Sequence, residues 1–286
     1  MRDAALPGLA VGFFDGVHLG HRAILSRADA ALTFRNHPLS VLAPEKAPRL
    51  IMKPEDRVAA IKACGVKDVM VLDFTRELAA MTADEFACEY FLAANGRKGA
   101  QRIICGENWR FGKGGEGSAE FLRRKGIEVT VVSYAEYKDE RISSSRIRAA
   151  LECGEIEDAN AMLGRRYQVS GTREAGKGLG RRIGYPTVNL RLSASASFLR
   201  LPLGVYEVEV EGVRGIANYG LAPTMGEQSW REPTLEIHFL VPDPSSLIPD
   251  PSSPVSFLRF VRPEKKFASL ADLKAQIAAD CAKIGV

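Results

Sequence analysis

Short apolar runs alternate with helix-like stretches through the first half of the chain. Leu9 to Phe14 is a brief apolar run, and His18 to Ala30 fits a helix. Ala31 to Phe34 follows as a strand, Pro54 to Cys64 as a helix with proline in its first turn, and Val69 to Leu72 as another strand. Thr82 to Asn95 reads as a helix stopping at Gly96, and Arg102 to Cys105 as a strand. Ser118 to Lys125 is helical, and the β-branched stretch Ile127 to Val132 is extended. Strands separated by helices predict βαβ units and a parallel sheet.

The texture then changes. Ser143 to Cys153 reads as a serine-capped helix and Glu155 to Leu163 as a second, shorter one. After Gly164 the alternation stops, and Tyr167 to Ser170, Val205 to Val210, Val213 to Ala217, Leu235 to Leu240 and Val255 to Val261 are strand-like, with Gly and Pro between them. Only Leu270 to Ala282 is helical. The second half is thus expected to be an all-β module, most simply a small barrel, closed by one helix. With 286 residues, two domains are expected; the boundary falls between about 154 and 165, which gives domains 1–155 and 156–286. Pro242 to Pro254 carries Pro-Asp-Pro-Ser-Ser twice and reads as a stiff surface loop.

Composition narrows the class. Hydrophobic residues make up 46% and charged residues 26%, ordinary globular usage that excludes a disordered, collagen-like or coiled-coil chain. Lys and Arg number 39 against 35 Asp and Glu, and the resulting +4 is too mild to argue for a nucleic-acid or membrane-surface partner. The five cysteines are widely spaced without a C-x-x-C pair, which argues against a disulfide framework or zinc ribbon and for a reducing compartment. The apolar run near the start is bracketed by Asp3 and Asp15 and closes on Phe-Asp-Gly rather than a cleavage site, so neither a signal peptide nor a membrane span is expected. The expected setting is the cytoplasm.

Three strings carry candidate chemistry. Gly12-Phe13-Phe14-Asp15-Gly16-Val17-His18-Leu19-Gly20-His21 lies between the first strand and the first helix, where an α/β sheet binds ligands and a helix start attracts phosphate. Its two histidines, three apart, fall on one helical face and can donate hydrogen bonds to phosphate oxygens. The bland alternative is a turn with two solvated histidines; a metal site lacks a third ligand nearby. Ile142-Ser143-Ser144-Ser145-Arg146-Ile147-Arg148 brings capping hydroxyls and a guanidinium together, which suits a phosphate chain or simply an ordinary capped helix. Gly106-Glu107-Asn108-Trp109-Arg110-Phe111-Gly112 is weaker, a turn after a strand.

The second half offers Thr187 and Asn189 on one strand face, with oxygens fit for a hard cation, and Glu236 between apolar neighbours, fit to take a proton from a hydroxyl. The alternative places Glu236 on a solvent face and leaves Thr187 and Asn189 to shape a turn. A further string, Gly171-Thr-Arg-Glu-Ala-Gly176-Lys177-Gly178, imitates the start of a P-loop. Gly178 stands where Ser or Thr should hold magnesium, however, and Gly180, Gly184 and Pro186 deny it a following helix. A glycine-rich flap over phosphates is all that remains of that reading.

Taken in order, these segments resemble the bacterial bifunctional riboflavin kinase/FMN adenylyltransferase (FAD synthetase) family, from about Val11 to Ile284. The first half is similar through the Gly-Phe-Phe-Asp-Gly-Val-His-Leu-Gly-His string, Thr33-Phe34 with His37-Pro38, Gly106-Glu107-Asn108 and Ile142 to Arg148. The second half is similar through Leu163-Gly164-Arg165, Gly184 to Asn189, Gly204 to Tyr206, Ala217 to Gly220, Glu236-Ile237-His238, Arg262 to Phe267 and Leu273 to Ile277. The resemblance implies an α/β nucleotidyltransferase (Rossmann-like, parallel sheet) domain followed by an all-β flavokinase barrel with a C-terminal helix. It implies two reactions: ATP phosphorylates riboflavin to FMN, and FMN then attacks the α-phosphorus of a second ATP, giving FAD and pyrophosphate. Glu236 would be the general base, with Thr187 and Asn189 binding Mg2+ and nucleotide phosphates. His18 and His21 would be catalytic in the adenylyl step, and Gly12, Phe14, Gly20, Asn108, Ser144, Ser145, Arg148 and, in the other domain, Gly178 would contact ATP or its phosphates. Partners would be the small molecules ATP, riboflavin and FMN, without nucleic acid or membrane, in a monomer or weak homo-oligomer.

Several positions depart from the family pattern. Eleven residues separate His21 from Thr33, fewer than is usual, so the first crossover is near its minimum and a displaced second strand or weakened adenylyl site is expected. Phe13 replaces Asn, Arg35-Asn36-His37-Pro38 stands for Glu-Pro-His-Pro, Ser145 for Thr and Val188 for Ala, and the Pro242 to Pro254 loop replaces a Tyr-Gly segment. Two further readings follow: a kinase whose first domain has lost adenylyltransferase activity, and a nucleic-acid-binding barrel using Arg165-Arg166 and Arg181-Arg182. The mild charge and missing aromatic stacking pattern disfavour the last.

Overall fold

The computed structural model describes residues 8–92, 99–174, 180, 184–192, 199–221, 233–241 and 253–284. It divides into two compact units, Met1–Ser144 and Ser145–Val286.

The first unit is a five-stranded parallel sheet ordered β3-β2-β1-β4-β5, built from β1 (Leu9–Val11), β2 (Ala30–Phe34), β3 (Asp68–Leu72), β4 (Arg102–Gly106) and β5 (Glu128–Val132). Its strands are apolar at successive positions because both faces are covered. Leu9, Val11, Leu32, Ile103 and Cys105 face one core with Phe86, Phe91 and Leu122, whereas Ala10, Ala31 and Ile104 face another with Ile24, Leu25 and Ile61. The two-residue period thus sorts neighbours to opposite sides. Helices α1 (Leu19–Leu25), α2 (Leu39–Leu42), α3 (Pro54–Lys62), α4 (Arg76–Ala80), α5 (Ala83–Tyr90) and α6 (Ala119–Arg124) complete the unit. Thr82 and Glu85 form a reciprocal capping box that starts α5, and Ser118 caps α6. Asn95 and Gly96, where α5 was expected to stop, lie outside the described residues.

The short crossover shortens the helix and leaves the strand in place. The expected helix to Ala30 ends at Leu25, and the amides of Asp29 and Ala30 already donate to Gly8. β2 pairs with β1 in register Leu9↔Ala30 to Val11↔Leu32 and with β3 along its whole length. The expected displacement of this strand does not occur.

Burial also settles the chemistry of one thiol. Cys105 is fully buried in β4, and desolvation, only partly offset by Arg123, pushes its thiol up to about 11. The exposed Cys88 and Cys153 are therefore expected to be alkylated by iodoacetamide near pH 8 well before Cys105, as peptide mass spectrometry would read.

Helix α7 (Ser144–Cys153) leads into the second unit, followed by α8 (Ile156–Leu163). An antiparallel sheet curls into a seven-stranded half-barrel ordered β8-β14-β11-β12-β13-β10-β9. Its strands are β8 (Tyr167–Val169), β9 (Gly171–Glu174), β10 (Val188–Leu192), β11 (Gly204–Val210), β12 (Val213–Leu221), β13 (Pro233–Phe239) and β14 (Val255–Pro263). The P-loop-like string thus begins inside a strand, with Gly171 paired to Leu192. β11 and β12 are joined by Glu211 and Gly212, both at positive φ (49° and 82°), the mirror-image turn that suits strand twist. Helix α9 (Leu270–Lys283) packs Cys281 and Ile284 against Val205 and Ile216.

A charge cluster secures the end of α9. Buried Glu207 accepts from Arg214 Nε at 2.9 Å and Arg259 Nε at 3.1 Å. The same guanidiniums donate onward to the carbonyls of Ile284 (2.8 Å) and Lys283 (3.2 Å), satisfying acceptors that a helix end leaves unpaired.

Two candidate active sites

In the first unit the strand order reverses between β1 and β4, and there a cavity of about 280 Å³ opens at the carboxyl edge of the sheet. Gly12 and Phe14 line it from the end of β1, His18, Gly20 and His21 from the start of α1, Asn108 from the loop after β4 and Ser144 from the end of the unit. His18 is buried, and its Nδ1 accepts the His21 amide at 3.3 Å, so in the neutral ring the proton sits on Nε2. The His18 and His21 rings stack at 3.6 Å, and Phe14 meets His21 edge-on at 5.3 Å. Gly20 suits this packing, since a Cβ there would lie 3.2 Å from the His18 ring and the ring would have to shift by a few tenths of an ångström to take it. The loop is held in an unusual conformation: Phe14 and Val17 have φ of 55° and 41°. Ser144 Oγ donates to the Asp15 carbonyl at 2.8 Å, and the Asp15 carboxylate accepts the Ile51 amide at 3.1 Å. Ser144 therefore ties the two motif strings together as well as lining the cavity.

Among the residues that line this cavity, Trp109, Tyr134 and Arg141 had no role assigned from the sequence. Trp109 follows Asn108 and stacks on Phe111 at 4.8 Å. Arg141 and Tyr134 line the cavity as a pair, the guanidinium 3.3 Å from the ring centroid. Arg141 directly precedes Ile142, a signal that was available. Ser145 and Arg148 belong to the second unit, where Arg148 Nη1 lies 3.5 Å from Ser145 Oγ.

Two departures from the family pattern, Phe13 and Asn36, each find partners in the first unit. Phe13 lies edge-on to His37 at 4.9 Å and carries the Arg57 guanidinium 4.3 Å above its face. Asn36 accepts the Phe74 amide at 2.9 Å and donates to the Phe74 carbonyl at 3.0 Å, pairing like a short strand where proline is usual. Arg57 is fully buried; its Nη2 donates to the carbonyls of Phe34 and Arg35, the latter at 3.1 Å. Desolvation lowers its pKa, opposed by the charges of Asp15 and Glu55. Its Nε and Nη1 have no hydrogen-bond partner among the described residues, a cost of about 1–3 kcal/mol for a buried donor.

In the second unit a cavity of about 290 Å³ lies between the sheet and α9. Glu236 sits directly opposite Asn189 on β10 and Asn218 on β12, so a carboxylate is flanked by two amides on one sheet face. Glu236, Asn218 and Thr187 line the cavity, and Glu236 is exposed. His238, two residues on, lines it too; its Nδ1 must donate to the Pro186 carbonyl at 3.0 Å, which anchors the segment carrying Thr187. Gly180 allows that segment to close, for a Cβ would stand 2.2 Å from the Tyr185 carbonyl oxygen. On the helix side, buried Asp280 accepts from Arg262 at 2.7 Å and from Gln276 at 2.9 Å. Gly178 lies outside the described residues, and no group of three or more His, Cys, Asp or Glu fit for a metal occurs among the described ones. Thr187 lines the cavity and Asn189 stands opposite Glu236, and both side chains carry an oxygen of the kind a hard cation takes.

A family model described as FAD synthetase matches residues 6–146, and one described as riboflavin kinase matches residues 163–285. A bifunctional riboflavin kinase/FMN adenylyltransferase of Bacillus subtilis is 31% identical over 95% of this chain and 89% of its own length. That of Escherichia coli K12 is 33% identical over 95% of this chain and 90% of its own. A solved structure described as a macrolide-efflux protein from Streptococcus pneumoniae superposes with a TM-score of 0.82 at 28% identity, covering 98% of this chain and 94% of that one. No helix among the described residues is long and apolar enough to cross a membrane.

Proposed function

The chain belongs to the bifunctional riboflavin kinase/FMN adenylyltransferase family, and from that premise we propose how its two cavities divide the work. It is an enzyme that phosphorylates riboflavin to FMN with ATP and adenylylates FMN to FAD with release of pyrophosphate. In the kinase half Glu236 takes the proton of the riboflavin 5′-hydroxyl as that oxygen attacks the γ-phosphorus, while Asn189 and Asn218 hold the carboxylate in line. Thr187 and Asn189 receive the nucleotide phosphates. In the adenylyl half the His18 Nε2–H and the His21 ring donate to the phosphates of ATP while the FMN phosphate attacks the α-phosphorus. Gly12, Phe14, Gly20, Asn108 and Ser144 shape that cavity and Arg141 adds charge to it. Ser145 and Arg148 are assigned to the triphosphate on the family's pattern alone. Gly178 would contact the nucleotide phosphates of the kinase half.

Both reactions with ATP imply a divalent metal, and Mg2+ is the ion we assign, held through Thr187 and Asn189. When bound it screens phosphate charge. We place the division between activities at residues 155 and 156, between the two matched segments, and the enzyme in the cytoplasm as a monomer or weak homo-oligomer. The observation that carries the kinase assignment is the Asn189–Glu236–Asn218 row. The kinase-only reading was motivated by the shortened crossover between His21 and Thr33; β2 nonetheless pairs in register with β1, and both family models match.

Pure protein incubated with riboflavin, excess ATP and Mg2+ is expected to give FMN and then FAD on chromatography. FMN that accumulates without FAD, even when FMN is supplied, would remove the adenylyl assignment.

A further inference from the structure

We propose that Arg57 is a positioning residue of the adenylyl-transfer site, locking the loop that bears His18 and His21 against the end of β2. The proposal rests on the adenylyltransferase reading above. Arg57 makes no contact with the cavity; it acts through what it holds. Its Nη2 donates to the carbonyls of Phe34 and Arg35, where β2 ends and the turn to His37 begins. Its face covers the Phe13 ring at 4.3 Å, and that ring also stands edge-on to His37. The Phe13 carbonyl in turn accepts from Thr33 Oγ1 at 3.0 Å, so the first motif loop is fastened to β2 by both its backbone and its side chain.

A purely structural filler would not be an arginine. The side chain is wholly buried, and two of its donor atoms, Nε and Nη1, go without a hydrogen-bond partner among the described residues. Replacing a buried charge by an apolar side chain of similar size is often neutral for stability or favourable. What an apolar side chain cannot do is bind two successive carbonyls while stacking on a ring. This combination fixes the angle at which the chain leaves β1, and Phe14 and Val17, both at positive φ, follow directly in that loop. The consequence is preorganisation of His18 and His21 for the transition state rather than binding of ATP, and it falls on turnover.

The test uses the full chain. In Arg57→Met, kcat for FMN adenylylation is expected to fall on the order of tenfold to a hundredfold, the scale on which small misplacements act. KM for ATP is expected to stay within about twofold, and riboflavin phosphorylation by the same molecules to be unchanged. Arg57→Lys, which can still reach a carbonyl, is expected to recover the larger part of the loss. A folded Arg57→Met with kcat unchanged, or with only KM raised, overturns the proposal. Should that variant lose the fold of the first unit, Phe13→Leu decides, since it removes the ring but leaves the buried charge bonded. A selective fall in adenylylation kcat supports the proposal, and an unchanged kcat overturns it. Wild-type protein that makes no FAD overturns the adenylyltransferase reading first and this inference with it, whereas FAD formation that ignores Arg57 and Phe13 overturns the inference alone.

Discussion

His21→Ala is expected to stop FAD formation almost completely while FMN still accumulates from riboflavin at the wild-type rate. The substitution is clean because the backbone amide of residue 21, which donates to His18 Nδ1, survives it. His18 therefore keeps its cap position and its tautomer. Only the imidazole stacked at 3.6 Å on His18 and abutting Phe14 is lost, and with it the donor proposed above for the phosphates. Removing one preorganised donor to a developing charge costs on the order of a hundredfold to a thousandfold in rate. Riboflavin and ATP supplied together, with flavins separated over time, read both steps in one tube. Loss of FMN as well as FAD from a protein that remains folded would show that the two steps are not carried by separate cavities.

Glu236→Gln is expected to do the reverse. Riboflavin phosphorylation should fall on the order of a hundredfold to ten-thousandfold, the range for a general base, while supplied FMN is still converted to FAD. Glutamine has the same shape, and the residue lies exposed on a strand between Asn189 and Asn218, so stability should not change. A glutamine variant that phosphorylates riboflavin at the wild-type rate would take the proton-accepting role away from this residue. Mixing the two variants is a further control: each alone fails to make FAD from riboflavin, whereas together they make it through free FMN.

Much of this was legible from residue patterns. The βαβ alternation, the two histidines at a strand-to-helix turn and the isolated carboxylate on a late strand all rest on local periodicity, and local periodicity survives folding. What was not legible depended on partners distant in the chain. Arg57 stands beside Glu55 and Asp56 in the first turn of α3, where any reading of pattern leaves it in solvent; only the approach of β2 buries it. The hairpin of β6 (Glu136–Tyr137) and β7 (Glu140–Arg141) turns on Lys138 and Asp139, both at positive φ without a glycine to announce it. That turn delivers Arg141 to the cavity. α4 is only five residues long, too short for its periodicity to register. From the sequence Phe13 and Asn36 read only as departures from the family pattern; in the fold Phe13 meets Arg57 and His37, and Asn36 the backbone of Phe74.

The pairing of β1 with β4 also constrains how the molecule is made. Leu9 meets Ile103 across the seam where the cavity of the first unit opens, so that seam forms only after about two thirds of the unit has been drawn into one closed loop. The β11–β12 ladder zips from a two-residue turn and needs no such closure. Contacts so unequal in sequence separation form at very different speeds, local ones early and distant ones late. In refolding from denaturant the β11–β12 hairpin has the head start, but the second unit has a distant closure of its own, Tyr167 of β8 pairing with Phe257 of β14. Both chemistries should therefore return late and close together, each waiting on the pairing of strands far apart in its own unit.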